Sequence, residues 1–293
     1  TWTASDPDGD PLTYDVFYSP DNGTTWVQIA DDINTTNLNW NSYPLNGDQF
    51  LVKVIASDTL LTGEDTSDAT FSVDNMPPAA DIILPVEGST ICGTVALTAL
   101  AQDNFGVDRV EFYYSLDNGI TWSPIGNATS GPPYVVNFES TDVPDGPIMI
   151  KAVAVDDVGL TGADVAQYVV DNTPPAVSIV SPPDLSTVSG TVTIVASASD
   201  NIAITKVEWY IDNVLVAIDS APPYDLVWNT LLSTEGTHVV RVVAYDGCIN
   251  SAQATAAYLV DNIPDHAAEV GINSTIVIPP QKPPAVELRG HYI

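Results

Sequence analysis

Basic residues are scarce in this sequence. Its 293 residues contain 7 Lys and Arg against 38 Asp and Glu, which gives a formal net charge of −31. So negative a surface repels phosphate backbones and anionic lipid heads, which excludes nucleic acid and membrane surfaces as partners. No apolar run approaches the roughly 20 residues of a membrane helix, so membrane insertion is not expected. No signal peptide is visible, and because the chain opens at Thr1 without Met we expect a processed or excerpted product.

Cysteine and histidine are rare as well. Two cysteines, Cys92 and Cys248, are too few for a disulfide scaffold and lack the CxxC spacing of metal sites. The only histidines are His238, His266 and His291, and no Ser/His/Asp triad or metal cluster forms by spacing. A glycine-rich phosphate loop is also missing. The sequence therefore predicts a protein that is not an enzyme and that has no organic cofactor.

What the sequence does contain is a repeat. Val-Asp-Asn at Val73–Asn75 returns at Val170–Asn172 and at Val260–Asn262, with prolines after each copy. The period is about the length of an immunoglobulin-type domain, and a Pro-Pro pair suits a short, semi-rigid linker. Within each period, short alternating strands return in the same order, with Asp-Asn turns between them. The prediction is an all-β chain of three tandem immunoglobulin-like β-sandwich domains (1–75, 76–172 and 173–262) followed by a C-terminal extended tail (263–293).

The repeat also predicts a strand register. Two strands of each domain should lie side by side, with hydrophobic residues facing inward across the pair. The inward pairs are Val16 with Val54, Phe112 with Ala152, and Trp209 with Val242. A basic residue and an acid occupy equivalent outward positions in every repeat, which predicts cross-strand ion pairs. These pairs are Lys53 with Asp15, Lys151 with Glu111, and Arg241 with Glu208.

Several segments carry a resemblance to a known family. Pro-Pro-Ala-Val-Ser-Ile-Val-Ser-Pro (174–182), Lys-Val-Glu-Trp-Tyr-Ile-Asp (206–212) and Pro-Pro-Tyr (222–224) resemble the bacterial and archaeal immunoglobulin-like repeats of large surface proteins. Trp-Thr-Ala-Ser-Asp-Pro-Asp-Gly-Asp (2–10) is similar to a fibronectin type III or cadherin-like variant. The resemblance covers about residues 1–262 and implies an extracellular or cell-surface location. The resemblance does not indicate whether the protein is part of a stalk, an adhesin, a filament or an enzyme appendage.

The two ends of the chain are unequal. Domain 1 lacks its first strand, whereas Pro-Pro-Ala-Val-Glu-Leu (283–288) resembles the openings of domains 2 and 3. One interpretation is that the sequence is a window from a longer repeat polypeptide. The other is head-to-tail assembly, in which the tail of one copy supplies the missing strand of the next and a filament forms. The donor strand would then comprise Ala285, Val286, Glu287 and Leu288.

Acidic residues are candidates for calcium binding. In such a sandwich the incoming linker and two loops meet at one end, and Ca²⁺ takes six to eight oxygen ligands. The resemblance to cadherin implies calcium at the linkers, whereas turns and linkers also favour Asp and Asn without any metal. The candidates are Asp74, Asn75, Asp103, Asn104, Asp156 and Asp157 for domain 2; Asp171, Asn172, Asp200, Asn201 and Asp246 for domain 3; and Asp6, Asp8, Asp10 and Asp58 for domain 1.

The cysteines and the glycosylation motifs offer further candidate sites. Cys92 aligns with the far end of domain 2 and Cys248 with the near end of domain 3, so an interdomain disulfide across the linker is expected, the alternative being two independent thiols. Glycosylation sequons, of which about this many arise by chance, are present at Asn22, Asn34, Asn127 and Asn273.

Two functional hypotheses follow. The leading hypothesis is a non-catalytic extracellular structural protein, a subunit or segment of a filament, stalk or surface layer, whose partners are its own copies or neighbouring repeats. The alternative is an adhesin or a carbohydrate-binding region of a larger secreted protein. In that case Tyr113, Trp122 and Tyr210 would stack on cell-surface glycans, although such aromatics usually serve sheet packing.

Overall fold

The structure is a computed structural model and describes residues 1–263. Within these residues it is built of β-strands with two short 3₁₀ turns and contains no α-helix, so the all-β prediction is confirmed. The strands fall into three successive groups, which we call domains 1, 2 and 3. Predictions that fall on residues 264–293, including the donor strand Ala285–Leu288, Asn273, His266 and His291, lie outside the described residues. No helix long and apolar enough to span a membrane is found in the described part of the chain.

Domain 1 has a five-stranded antiparallel sheet. Its strands are β1 (Thr13–Ser19), β2 (Val27–Ile33), β3 (Gly47–Ser57), β4 (Thr62–Thr66) and β5 (Phe71–Val73). The order is β2-β1-β3-β4, and β5 pairs with the first half of β3.

Domain 2 is a two-layered sandwich. Its strands are β6 (Ala79–Leu84), β7 (Thr90–Ile91), β8 (Thr94–Gln102), β9 (Arg109–Ser115), β10 (Ser123–Ala128), β11 (Tyr134–Glu139), β12 (Gly146–Val155) and β13 (Thr161–Val170). One sheet has the order β10-β9-β12-β13-β7 and the other β11-β8-β6. A 3₁₀ turn at Ser140–Asp142 connects β11 to β12.

Domain 3 repeats the architecture of domain 2. Its strands are β14 (Ala176–Ser181), β15 (Thr187–Val188), β16 (Thr191–Ser199), β17 (Ile204–Ile211), β18 (Val214–Asp219), β19 (Tyr224–Asn229), β20 (Gly236–Asp246) and β21 (Ser251–Val260). The two sheets have the orders β15-β21-β20-β17-β18 and β14-β16-β19. The second 3₁₀ turn, Thr230–Leu232, occupies the position of the first.

Because successive side chains point to opposite faces of a strand, every second residue of a strand points into the core of its domain. Phe112 in domain 2 and Trp209 in domain 3 are 0% exposed and lie at equivalent positions of β9 and β17. The predicted register is confirmed, because Val16 faces Val54, Phe112 faces Ala152 and Trp209 faces Val242 across the central strand pairs.

The predicted outward ion pairs are wrong, and the reason lies in the same register. Each basic residue faces an aromatic ring directly across the strand pair: Lys53 faces Phe17, Lys151 faces Tyr113 and Arg241 faces Tyr210. The cations lie over these rings, at 5.1 Å for Lys151 and 3.8 Å for Arg241 from the ring centroid. The acids Glu111 and Glu208 bind instead to Arg109 and Lys206 on their own strands. In each domain the predicted acidic partner lies two residues before the residue that faces the cation, and that facing residue is aromatic.

Domain 1 departs from the other two domains. Residues 1–12 and 34–46 correspond to the three-stranded sheet of domains 2 and 3 but contain no strand. The Trp2 amide donates to the Thr36 carbonyl at 3.1 Å, which joins these two segments. Trp2 packs edge-on against Tyr14 and Trp40 stacks on Tyr18, so aromatic side chains cover part of the core face. The described part of domain 1 is therefore one sheet covered by two irregular segments.

Candidate functional site

Three acids meet at the joint between domains 2 and 3. Asp171 follows β13 of domain 2, Asp200 follows β16 of domain 3, and Asp246 ends β20 of domain 3. β16 and β20 lie in different sheets of domain 3, and both end at the edge that receives the linker. Carboxylate oxygens of the three residues lie within 4.8 Å of one another. We call this group the second acidic cluster.

Backbone amides hold two of these carboxylates. Asp200 Oδ1 accepts from the Ile202 and Ala203 amides at 2.8 and 3.0 Å. Asp246 Oδ1 accepts from the Cys248 and Asn250 amides at 2.7 and 2.9 Å. The other oxygen of each residue, Oδ2, is buried and has no hydrogen-bond partner. Each carboxylate is therefore fixed by one oxygen and leaves the other unsatisfied.

Asp171 is the most enclosed of the three acids. It is 0% exposed, and neither of its carboxylate oxygens has a hydrogen-bond partner. Burial, and then the negative charges of Asp200, Asp246 and Asp145, raise the pKa of Asp171 to about 6. Its amide donates to the Ile91 carbonyl of domain 2 at 3.1 Å, so its backbone belongs to the domain that precedes the joint.

The joint between domains 1 and 2 has an equivalent group. Asp74 follows β5, Asp103 follows β8 and Asp156 follows β12, and their carboxylate oxygens also lie within 4.8 Å of one another. Asp156 Oδ1 accepts from the Val158 and Leu160 amides at 2.9 and 2.8 Å, while its Oδ2 is buried without a partner. We call this group the first acidic cluster.

The linker asparagines are not part of these clusters. Asn172 Oδ1 accepts from the Gly93 amide at 2.9 Å and from the Ser140 hydroxyl at 3.0 Å, and its Nδ2 donates to the Ser140 carbonyl. Asn75 donates its Nδ2 to the Leu45 carbonyl at 2.7 Å. These side chains fasten each linker to the domain before it, and their predicted role as cation ligands stays a prediction.

The remaining predicted ligands lie elsewhere. Asn104 and Asp157 are exposed neighbours of cluster members. Asn201 Nδ2 donates to Asp145 Oδ2 of domain 2 at 2.9 Å, a contact across the joint. The acids of domain 1, Asp6, Asp8, Asp10 and Asp58, do not form a comparable three-residue group in the described chain. Asp6 instead accepts from the Asp8 and Asp10 amides, and Asp58 from the Leu60 and Leu61 amides, as in ordinary turns.

Sequence reasoning missed the residues that receive the linker amides. Asn46, Asp145 and Glu235 accept, through their side chains, from the amides of Asn75, Asn172 and Asn262 at 2.7, 2.8 and 3.0 Å. Each precedes a glycine with positive φ at the start of a long strand, namely Gly47, Gly146 and Gly236. This recurring polar residue followed by glycine was a signal that could have identified them.

A disulfide crosses the same joint as the second acidic cluster. Cys92 of domain 2 and Cys248 of domain 3 are joined, with their Cα atoms 6.0 Å apart and a sequence separation of 156. The backbone next to it packs closely, since a Cβ on Gly247 would lie 3.2 Å from the Thr90 hydroxyl oxygen. Asn250 Nδ2 also donates to the Asp171 carbonyl at 3.3 Å.

Domain 1 carries a cleft of about 850 Å³ where its second sheet is incomplete. Hydrophobic side chains from the core face line it, among them Val16, Leu38, Trp40, Val52 and Val54. In domain 2 the equivalent place is occupied by β6, which packs against β13 and contributes Ala80 and Ile82 to the core. In domain 3 it is occupied by Val177 and Ile179 of β14.

The aromatic residues proposed for sugar stacking are engaged by cations and carboxylates. Lys151 lies 4.2 Å from the Trp122 centroid and 5.1 Å from that of Tyr113. Tyr113 and Tyr210 each donate a hydroxyl hydrogen bond, to Glu111 and Glu208 respectively, at 2.6 Å. These rings therefore take part in a repeated cation–π arrangement on the outer sheet face.

The remaining predicted sites in the described residues are His238 and three glycosylation sequons. His238 lies in β20, where its Nδ1 is 2.5 Å from Asp212 Oδ2 and its Nε2 is 2.8 Å from the Thr234 carbonyl oxygen. The sequon residues Asn22, Asn34 and Asn127 are all exposed.

Comparison with known proteins agrees with this architecture. The model of the bacterial Ig domain family matches residues 78–152 and 175–242. Domains 2 and 3 are tandem bacterial Ig-like repeats. Tandem repeats of this family are typical of surface or extracellular proteins, and Ig-like domains are generally non-catalytic. No curated protein matches the chain.

Solved structures with a similar fold include modules from bacterial and other proteins. The fibronectin(III)-like modules of Clostridium thermocellum CbhA are 26% identical, with a TM-score of 0.44, over 62% of this chain and 94% of that one. A tetra-tandem repeat from the extending region of a large adhesion protein is 17% identical, with a TM-score of 0.33, over 86% and 68%. Sidekick-1 immunoglobulin domains 1–4 are 15% identical, with a TM-score of 0.36, over 85% and 68%.

Proposed function

We propose that this bacterial Ig chain is a non-catalytic structural segment of an extracellular filament or stalk. The observation that carries the proposal is the joint between domains 2 and 3. There the Cys92–Cys248 disulfide, the Asn201–Asp145 hydrogen bond and the Asn250–Asp171 hydrogen bond all connect one domain to the next. A joint with a covalent link and several polar contacts resists bending, which suits a protein that transmits force or holds a spacing.

Small-angle scattering of the purified chain tests this stiffness. The maximum dimension should correspond to an extended, narrowly distributed ensemble, and the Cys92→Ser/Cys248→Ser variant should populate more bent conformations. An ensemble of the unaltered protein that is as broad as that of the variant would contradict the proposal.

The assembled form that we propose is head-to-tail addition of a strand to domain 1. The cleft exposes core side chains of one sheet, and the Trp2 indole nitrogen beside it is buried without a hydrogen-bond acceptor among the described residues. An added strand would cover the apolar face and supply backbone carbonyls.

The proposed occupant is the segment 283–288 of a second copy. Its sequence Pro-Pro-Ala-Val-Glu-Leu aligns with residues 77–82 and 174–179. The fourth and sixth positions of those segments, Ala80 with Ile82 and Val177 with Ile179, pack inward against the cores of domains 2 and 3. The corresponding residues, Val286 and Leu288, would fill the cleft of the neighbouring copy, and Glu287 would face outward as Asp81 and Ser178 do.

Electron microscopy and sedimentation of the purified chain test the assembled form. Fibres with a repeat near three domain lengths are expected, and Val286→Asp/Leu288→Asp should abolish them. Glu287→Lys is the matched control, because an outward position should tolerate the change. Monomers alone, unaffected by either variant, would contradict assembly and favour a strand supplied by a neighbouring module of a longer polypeptide.

A further inference from the structure

Four buried oxygen atoms in the second acidic cluster lack any hydrogen-bond partner. They are both carboxylate oxygens of Asp171 and the Oδ2 atoms of Asp200 and Asp246. Leaving a buried acceptor unsatisfied is unfavourable, and leaving several buried carboxylates together is more so, because their negative charges repel. The first acidic cluster repeats the arrangement with the buried Oδ2 of Asp156. Such groups persist in a folded protein when a positive partner compensates them.

Ordinary turn aspartates in the same chain show the contrast. Asp117 accepts through Oδ1 from the Ser115 hydroxyl at 2.7 Å and the Thr121 amide at 2.8 Å, and through Oδ2 from the Thr121 hydroxyl at 2.5 Å. Both of its oxygens are therefore satisfied within the turn. Turn formation alone does not explain the clusters. Backbone amides hold one oxygen of Asp156, Asp200 and Asp246, and the other oxygen of each is buried without a partner.

We propose that each cluster binds one divalent cation of the calcium type, held between the linker aspartate and two loops of the following domain. The donors are all carboxylates, without histidine or cysteine, which favours a hard cation over zinc or copper. Two oxygens bound to one Ca²⁺ at about 2.3–2.6 Å can lie at most about 5 Å apart. In both clusters one oxygen from each of the three acids lies within 4.8 Å of the other two, which satisfies this condition. Backbone oxygens and water would complete the coordination.

Each cation joins two domains. Asp171 is attached to domain 2 through its amide bond to Ile91, whereas Asp200 and Asp246 belong to domain 3. The joint between domains 2 and 3 then has a disulfide and a cation, and the joint between domains 1 and 2 has a cation without a disulfide, since Cys92 and Cys248 are the only cysteines. Removal of the cations loosens the first joint, and loosening the second joint requires reduction as well.

Calorimetric titration of the full chain with CaCl₂, after treatment with EDTA, tests the proposal directly. It is performed at about 0.15 M salt, so that diffuse binding to a surface of charge −31 is screened. Two saturable sites are expected, and saturating Ca²⁺ should raise the melting temperature by about 5 °C or more relative to EDTA. MgCl₂ should bind more weakly, because Mg²⁺ demands shorter distances and regular octahedral geometry.

Two variants assign the sites. Asp171→Asn and Asp156→Asn should each reduce the stoichiometry from two to one. Asp171→Asn should also melt in EDTA no lower than the unaltered chain, because one of three mutually repelling charges is gone. An aspartate with a purely structural role would instead lower the melting temperature in both conditions.

The exposed neighbour supplies the matched control. Asp157→Asn removes the same charge from the residue after Asp156 and should leave both sites intact. Absence of saturable binding in the full chain would overturn the proposal, and so would binding that Asp171→Asn and Asp156→Asn leave unchanged. Neither result bears on the scattering and microscopy tests of the proposed function.

Discussion

Asp246 and Cys248 are linked by a 2.7 Å hydrogen bond from the Cys248 amide to Asp246 Oδ1. One residue belongs to the second acidic cluster and the other to the interdomain disulfide. The loop between β20 and β21 therefore carries one half of the disulfide and borders one acid of the cluster. Any change that moves this loop should alter both of them.

Loss of the disulfide should weaken the joint without unfolding the domains. In Cys92→Ser/Cys248→Ser the two cores remain complete, because both cysteines lie at the domain ends and outside the core clusters. We expect near-unchanged far-ultraviolet circular dichroism, an increase in interdomain bending, and weaker Ca²⁺ binding at the second cluster alone. A variant that loses its secondary structure would show that the disulfide is needed for folding itself.

Removal of Asn172 should detach the linker from domain 2. Its side chain satisfies the Gly93 amide, the Ser140 hydroxyl and the Ser140 carbonyl. Asn172→Ala removes the acceptor of the Gly93 amide and the Ser140 hydroxyl, while the Ser140 carbonyl keeps the Val143 amide at 3.3 Å. The change should lower the free energy of unfolding by about 1–3 kcal/mol. Urea unfolding followed by tryptophan fluorescence measures the change. Asn104→Ala, at an exposed position, is the control and should lie within about 0.5 kcal/mol of the unaltered protein.

The cation–π arrangement should contribute modestly to stability. Lys151→Ala removes the ammonium group over Trp122 and Tyr113 and should cost about 0.5–1 kcal/mol. Lys151→Arg should preserve most of this contribution, since guanidinium also stacks on aromatic rings. A double-mutant cycle with Trp122→Leu isolates the interaction. A coupling free energy of zero would show that the lysine contributes only through its aliphatic stem.

Domain 3 should lose some stability as pH rises because of His238. Burial lowers the pKa of His238, but hydrogen bonds with the Thr234 carbonyl and the Asp212 carboxylate outweigh it and raise the pKa above its usual value. The protonated histidine therefore favours the folded state. The contribution is complete below the pKa of the unfolded state, about 6.5, and disappears as pH rises through the higher folded value.

Asp212→Asn tests this pH dependence. Asparagine can still accept from the Val239 amide and tolerates the positive φ of 50° at this position, but it has no charge. The difference in stability between the two proteins should be largest at mildly acidic pH, where Asp212 is ionised and His238 is protonated, and should shrink as pH rises. A difference independent of pH would contradict a charged contact.

The sequence was sufficient to predict the features that depend on local patterns. Alternating strands, Asp-Asn turns and a recurring Val-Asp-Asn phrase determine the all-β fold and its repetition, because each depends on residues close together in sequence. The inward register of Phe112 and Trp209 followed from the same alternation, which the pleat imposes on every strand. The choice of partner for Lys151 was less predictable, since an acid and an aromatic ring lie two residues apart on the facing strand.

Two properties of this chain required the tertiary structure. Sequence alone could nominate fifteen possible cation ligands. Only packing of the domains brings Asp171, Asp200 and Asp246 together and buries four of their six carboxylate oxygens without a hydrogen-bond donor. The sequence indicated that domain 1 lacks a first strand, but only the structure shows that residues 34–46 also form no strand and that Leu38 and Trp40 line a cleft there. By itself the sequence determines which strands form, because strand pattern is local. Which side chains are left unsatisfied is decided by contacts between residues far apart in the chain.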